Sequence, residues 1–237
     1  MNFQQRSYEK ERMDTPDLSP EEFNKNLKEI VFINRYLGGA NISWLGVKQI
    51  IDDHGLQQVK ITDVGAGAGD AFAYFDQNNR HHQLQYEPLD IQPGAKYCAD
   101  ELFPHLSEKM KWHIGDYQAL FETKNGTDIV MANLFCHHLT DDELVGFLVG
   151  AARYARHGIV INDLHRHPFA YYSIKYLTRF FSRSEFTKND APLSVRRGFT
   201  KKEWHLHLKR AGLSQYTLHW KWAFRHLIVI HTQDIEQ

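Results

Sequence analysis

Cysteine is almost absent: the 237 residues contain two, Cys98 and Cys136, with no CxxC pair. That excludes a disulfide framework and a cysteine-rich zinc centre. No apolar run approaches the roughly 20 residues needed to span a bilayer as a helix. Excess charge is also missing. The formal net charge is −1, which argues against a protein that holds nucleic acid by bulk electrostatics. Internal repeats and low-complexity linkers are not found. The first residues, MNFQQRSYEKER, are polar and charged, unlike a secretory leader, and a reducing, cytoplasmic setting is expected. No metal site is expected, because His137, His138, His165 and His167 lack a signature ligand spacing.

What remains is an ordinary globular composition, 42% hydrophobic and 24% charged, with enough length for a full core. Residues 1–18 lack periodicity and read as a draped arm. Ser19-Pro20-Glu21-Glu22 reads as a helix start with a capping box, and Phe23, Leu27, Ile30, Val31 and Leu37 follow at helical spacing. Gly38-Gly39 ends that helix, and a second runs from about 41 to 54. From residue 58 strands and helices alternate: strands at 59–64, 84–91, 110–115, 128–134 and 158–163, helices at 70–78, 93–103 and 140–154. This pattern predicts a parallel sheet covered on both faces. After a helix at 168–181, residues 183–198 carry few structure signals. A helix at 200–211 and two closely linked strands, 214–222 and 225–232, follow, and so short a link demands antiparallel pairing. The expected fold is α/β: a Rossmann-like, seven-stranded, mostly parallel sheet with an antiparallel C-terminal hairpin. Residues 1–56 would form an arm and helical lid, residues 57–237 the core.

The sharpest motif is Asp63-Val64-Gly65-Ala66-Gly67-Ala68-Gly69-Asp70, where the first strand turns into a helix. Alternating glycines let backbone approach a ligand, and the helix start offers free N–H groups. A dinucleotide loop would read GxGxxG, but here the sixth position is Asp70. Carboxylates at both ends would repel a pyrophosphate. They suit S-adenosylmethionine, which carries a sulfonium and an ammonium and no phosphate. Asp90, at the end of the second strand, is placed to accept ribose hydroxyls, with Glu87 a weaker candidate. Gly115-Asp116-Tyr117 follows the third strand, and Asn133 through His138 follow the fourth, at the edge where open α/β sheets bind ligands.

DVGAGAG, the acidic end of the second strand, GDY and DIVMANLFCHHL together resemble the ordered motifs of class I S-adenosylmethionine-dependent methyltransferases. The flavour is similar to bacterial small-molecule enzymes related to the ubiquinone/menaquinone C-methyltransferases, and the resemblance extends over residues 57–232. It implies S-adenosylmethionine as methyl donor and S-adenosylhomocysteine as product. By it Asp63, Gly65 and Gly67 would serve the methionyl part, Asp90 the ribose, Asp116 the adenine, and Asn133 would lie near the methionine; Ala66, Gly69, Ile91, Tyr117 and Leu134 are further cofactor-binding candidates.

Methyl transfer from a sulfonium needs alignment above all, worth on the order of 7–11 kcal/mol of barrier. A base is needed only where the acceptor must lose a proton. His137, Asp163 and His165 are the candidates for that work. Arg35, Tyr36, His138, Arg166 and Arg197 are candidates for acceptor contact, guanidinium suiting an acidic group. Cys136 has no activating neighbours and reads as packing. The expected acceptor is a small, largely apolar or aromatic molecule methylated on O or C, acted on by a monomer or homodimer. A nucleic-acid or protein methyltransferase, or a catalytically silent binding protein, is the alternative. The end of the fourth strand, Asn133-Leu134-Phe135-Cys136, lacks the prolines usual in base amino-methylating enzymes.

Overall fold

The computed structural model describes residues 2–14, 19–123, 125–182 and 184–232. The remainder of the expected arm (residues 1 and 15–18) and the last five positions of the expected core lie outside the described residues. The chain runs α1 (Pro20–Tyr36), α2 (Gly39–His54), β1 (Gln58–Val64), α3 (Asp70–Asn78), β2 (Gln83–Asp90), α4 (Pro93–Leu102), α5 (Pro104–Ser107), β3 (His113–Ile114), α6 (Tyr117–Phe121) and β4 (Thr127–Asn133). It continues with α7 (Asp141–Tyr154), β5 (Ala155–Leu164), α8 (Pro168–Phe181), α9 (Glu185–Arg197), α10 (Lys201–Arg210), β6 (Tyr216–Lys221) and β7 (Arg225–His231).

The strands form one seven-stranded sheet in the order β3-β2-β1-β4-β5-β7-β6. β1 through β5 pair in parallel, whereas β7 is antiparallel to both β5 and β6. This is the Rossmann-like arrangement the alternation predicts. The period-2 pleat divides each central strand between two cores. On β4, Ile129 and Met131 join Val47, Ile50, Phe72 and Phe75 of α2 and α3. Val130 and Ala132 face the other way, toward Phe147 of α7 and Trp204 of α10. Such two-sided burial explains why β4 and β5 read as near-continuous apolar runs. Strand order reverses between β1 and β4, so a crevice opens at their carboxyl ends.

Local chemistry sets most boundaries. Thr140 and Thr200 each close a full capping box, with Glu143 and Glu203, at the starts of α7 and α10. Ser19 caps α1 by accepting the Glu22 N–H. α2 is a layer of the core, with Val47, Ile50 and Ile51 fully buried on the sheet. The arm lies across the carboxyl edge: Arg6 donates to the carbonyls of His137 (2.8 Å) and Leu139 (2.5 Å) and pairs with Asp141 at 3.1 Å.

Two expectations need correction. The third strand is two residues long rather than six, since only His113 and Ile114 pair with β2. The segment 183–198, expected to be irregular, contains α9. Its sequence, EFTKNDAPLSVRR, carries Pro192 in its interior, at a cost of about 3 kcal/mol for an unsupported helix. Tertiary contacts offset this. Ser184 caps the helix through the N–H groups of Phe186 and Thr187, and the Asp190 carboxylate accepts the N–H groups of Arg12 and Met13 from the arm at 3.0 Å each.

Candidate functional site

The turn from β1 into α3 is built by left-handed backbone. Gly65 and Gly67 have φ of 69° and 54°, a region that L side chains rarely adopt. A Cβ on Gly65 would lie 2.6 Å from the Phe135 ring, so the space is closed to any side chain. The N–H groups of Gly65 and Ala66 are held by the Leu89 carbonyl (2.9 and 3.1 Å), and Gly67 N–H donates to Asp90 Oδ2 at 2.9 Å. The other Asp90 oxygen accepts from Gln92 N–H at 2.9 Å. The loop is thereby tied to the end of β2, bringing Asp63, Asp70 and Asp90 into one electrostatic neighbourhood.

Those three carboxyls are strained in charge. Burial, then repulsion from Asp70 and Asp90, drives Asp63 well above the ordinary carboxylate range, although the Asn133 N–H donates to it. Burial pushes Asp70 up to about 6 and raises Asp90 as well. Asp63 Oδ1 is buried with no hydrogen-bond partner. A buried carboxyl with an unsatisfied oxygen and a raised pKa is one whose ionised form a cationic ligand would stabilise. Asp116 caps α6 through Gln118 N–H (2.8 Å) and is exposed at the adjoining edge. Ile91 and Ile114 stand exposed at the ends of β2 and β3. Glu87 is turned away, paired to Lys111 at 3.1 Å.

Beyond the β4 end a cavity of about 340 Å³ opens. Its walls are apolar, from Ile30 and Ile33 of α1, Ile174 and Leu177 of α8, Val195 of α9, and Phe224. Leu134, His137, His138, Glu11, Asn34 and Arg225 also face it. Leu134 turns the chain with a φ of 55°, its N–H held by the Asn162 carbonyl at 2.8 Å. Asn133 Oδ1 accepts from Asn162 (2.9 Å) and Ser43 (3.3 Å). His137 is 3% exposed, and Asp163 is fully buried behind it. Asp163 Oδ1 meets His137 Nδ1 at 2.7 Å, and Oδ2 accepts His137 N–H at 2.9 Å. Burial alone would raise the Asp163 carboxyl, but His137 and these N–H groups hold it below the ordinary range.

The other expected site residues lie elsewhere. His165 is outside the cavity wall, packed against His167 and His226 with ring centroids 5.5 and 4.7 Å away. Arg166 spends its donors on Phe3, Gly198 and Gln4 carbonyls and on Glu203. Arg197 likewise donates to the carbonyls of His137, His138 and Glu9. Both guanidiniums therefore knit the arm, the β4 loop and the C-terminal region together. Arg35 and Tyr36 point outward, Tyr36 being 73% exposed, whereas the preceding Asn34 faces the cavity. Cys136 is buried, and burial pushes its thiol well up, consistent with a packing role.

Sequence reasoning missed Arg225. It is 2% exposed at the start of β7, with Nε and Nη1 unpartnered and only Nη2 donating to Asn34 Oδ1 at 3.2 Å. Burial lowers its pKa to about 10, offset in part by Asp163 and Asp70. Nothing in RHLIVIH marks the first residue as a site. The signal, a cation ahead of an apolar strand, has meaning only once β7 is known to begin at the carboxyl edge. Arg225→Met is expected to lower the unfolding midpoint, because it leaves the buried Asp163 carboxylate without this cation and Asn34 Oδ1 without its donor. Calorimetric affinity for an anionic ligand of the cavity should fall at the same time.

Residues 62–161 match the family described as "Methyltransferase domain". Over those residues the chain is similar to a methyltransferase domain. Its fold is the Rossmann-like one also found in several solved methyltransferases. An O-methyltransferase family protein from Burkholderia thailandensis is similar over 95% of the chain and 63% of its own length (17% identity, TM-score 0.64). The plantazolicin methyltransferase BpumL, solved with SAH, is similar over 92% of this chain and 91% of its own (17%, 0.64). Human N-acetylserotonin methyltransferase, solved with SAM, matches over 90% and 56% (17%, 0.62). The chain thus spans between half and two-thirds of several of these proteins. No curated protein matches it in sequence. Among the described residues no helix is long and apolar enough to cross a membrane.

Proposed function

We propose that this protein transfers a methyl group from S-adenosylmethionine to a small, largely apolar or aromatic acceptor, leaving S-adenosylhomocysteine. The observation that carries the reading is the trio Asp63, Asp70 and Asp90, raised in pKa around a glycine turn, with Asp63 Oδ1 lacking a partner. When bound, the donor supplies an electrophilic methyl on a positively charged sulfur. Asp63, Gly65, Ala66, Gly67 and Gly69 would hold its methionyl end, with Asn133 and Leu134 alongside. Asp90 would take the ribose hydroxyls. Ile91 would cover one side of the adenine, and Asp116 and Tyr117 would edge it. Arg225, lying between Asp70 and the cavity, has the unpaired donors to receive the α-carboxylate. The apolar cavity takes the acceptor, and its polar end at His137, held by Asp163, activates it. The arm and α1 act as the lid that excludes water. Neutral charge and a walled cavity favour a small molecule over nucleic acid, and a reducing cytoplasmic location fits the free thiols.

The test is calorimetric titration with S-adenosylmethionine and with NADH. Binding of the first alone is expected, and the reverse result would overturn the reading. The same titration has a pH signature. In the free protein burial holds Asp70 protonated up to about 6, whereas a cationic ligand favours the carboxylate. Binding therefore expels a proton below that pH. Affinity should rise with pH by up to about tenfold per unit per proton below 6, then level off. The free fold follows the opposite sign, since carboxyls raised by burial contribute stability at low pH that is lost as pH climbs through 6. Its unfolding midpoint should fall over the window in which affinity improves.

A further inference from the structure

The polar end of the cavity has three donors that no acid–base role accounts for together. Glu11 of the arm, His137 and His138 each offer one ligand atom, all within 4.8 Å of one another. Glu11 is 5% exposed, and its Oε1 has no hydrogen-bond partner. It faces His137 Nε2 at 3.7 Å, too far for a hydrogen bond. A tetrahedral ion with bonds of about 2.1 Å places neighbouring donors about 3.4 Å apart, so this gap fits a shared ion better than a direct contact.

The outer contacts have the same character. His137 Nδ1 is held by Asp163 at 2.7 Å and His138 Nδ1 by Asp14 at 3.1 Å. A carboxylate on the far nitrogen is the usual support of a metal-bound imidazole, because it fixes the ring and strengthens the ligand nitrogen. Glu11, Asp14 and Asp163 contribute three negative charges against Arg197, which lies 3.8 Å from Glu11 and 3.9 Å from Asp14. Arg197 donates its hydrogens to backbone carbonyls and leaves Glu11 Oε1 unsatisfied.

We propose that Glu11, His137 and His138 form a two-histidine, one-carboxylate site for a divalent transition metal, zinc by ligand type, open toward the acceptor cavity. This deepens the methyl-transfer reading and rests on it for the substrate class. The acceptor presents an oxygen, as a hydroxyl, phenol or enol, to the open position. Coordination acidifies that oxygen, its proton leaves to solvent, and the resulting anion is the nucleophile. Since Glu11 is a ligand, the metal also latches the arm over the cavity.

The full-length protein, stripped with chelator, is titrated with zinc by calorimetry and with cobalt by visible absorption, without donor or acceptor. One ion per chain is expected, with the spectrum of a four- or five-coordinate cobalt site. Glu11→Gln and, as a second variant on the rigid core, His138→Gln should each weaken zinc by at least about tenfold, and Asp163→Asn by about 10–100-fold. S-adenosylmethionine affinity should be unchanged in Glu11→Gln. No stoichiometric zinc or cobalt on the wild type, or undiminished binding in both ligand variants, overturns the site. If S-adenosylmethionine still binds in that case, methyl transfer stands without the metal; if it does not, the broader reading falls.

Discussion

Asp90→Ala is expected to weaken S-adenosylmethionine binding by roughly 100-fold or more. Two ribose hydroxyls on one carboxylate are charge-assisted contacts worth about 1.5–3 kcal/mol each, and a loss of about 3 kcal/mol is roughly 100-fold in Kd. A second effect has the same sign. Asp90 Oδ2 accepts the Gly67 N–H and Oδ1 the Gln92 N–H, so the carboxylate also shapes the glycine turn. Asp90→Asn separates the two: an amide of the same size keeps an acceptor oxygen for Gly67 but holds the hydroxyls less strongly. The expected order of affinity is wild type, then Asn, then Ala. Unfolding of the free protein should change little, because Asp90 is raised in pKa by burial and its charge is a cost to the unliganded fold. Unchanged calorimetric affinity in Asp90→Ala would remove the ribose assignment and weaken the placement of the donor.

The candidates for the proposed donor site could be read from the sequence because they are nearly contiguous. Asp63 through Asp70 lie on one turn, and Asp90 and Asn133 are the last residues of the two strands that flank β1. A strand's end can be read from its apolar run, and parallel pairing then places all the ends on one edge. Of the cavity lining, His137 and His138 were expected from the sequence, but their partners were not, for the converse reason. Glu11 meets His137, and Asn34 meets Arg225, only through the fold. Each of these residues sits in a segment whose own periodicity says nothing of its partner. Arg166 and Arg197 show the same limit from the other side. Their chemistry fits an acidic substrate, but carbonyls of the arm and of the β4 loop reach them first. α9 was hidden because Pro192 interrupts it and Thr187, Asn189 and Asp190 cluster in its first half, while the groups that stabilise it, Ser184 at its cap and the arm at Asp190, act from outside its own periodicity.

His137→Gln should lower kcat by roughly 10²–10⁴-fold, the span of a lost activating group, with S-adenosylmethionine affinity within about twofold. The split follows from position: His137 lines the acceptor cavity, and none of its contacts belongs to the glycine turn. Asp163 is a positioning residue, fully buried behind the imidazole and touching the cavity only through it. Asp163→Asn keeps volume and shape but loses the charge that holds Nδ1–H, so its kcat should also fall. The two defects differ in rescue. With a zinc ligand merely weakened, activity of Asp163→Asn returns as zinc is raised toward saturation. His137→Gln has lost the ligand, and no zinc concentration restores it. Thermal denaturation of both variants guards against misfolding, because Asp163 also anchors the His137 and Leu164 N–H groups. Equal, zinc-independent losses would point to proton transfer at Nε2 as the activating step, and losses confined to donor affinity would place His137 on the wrong side of the reaction.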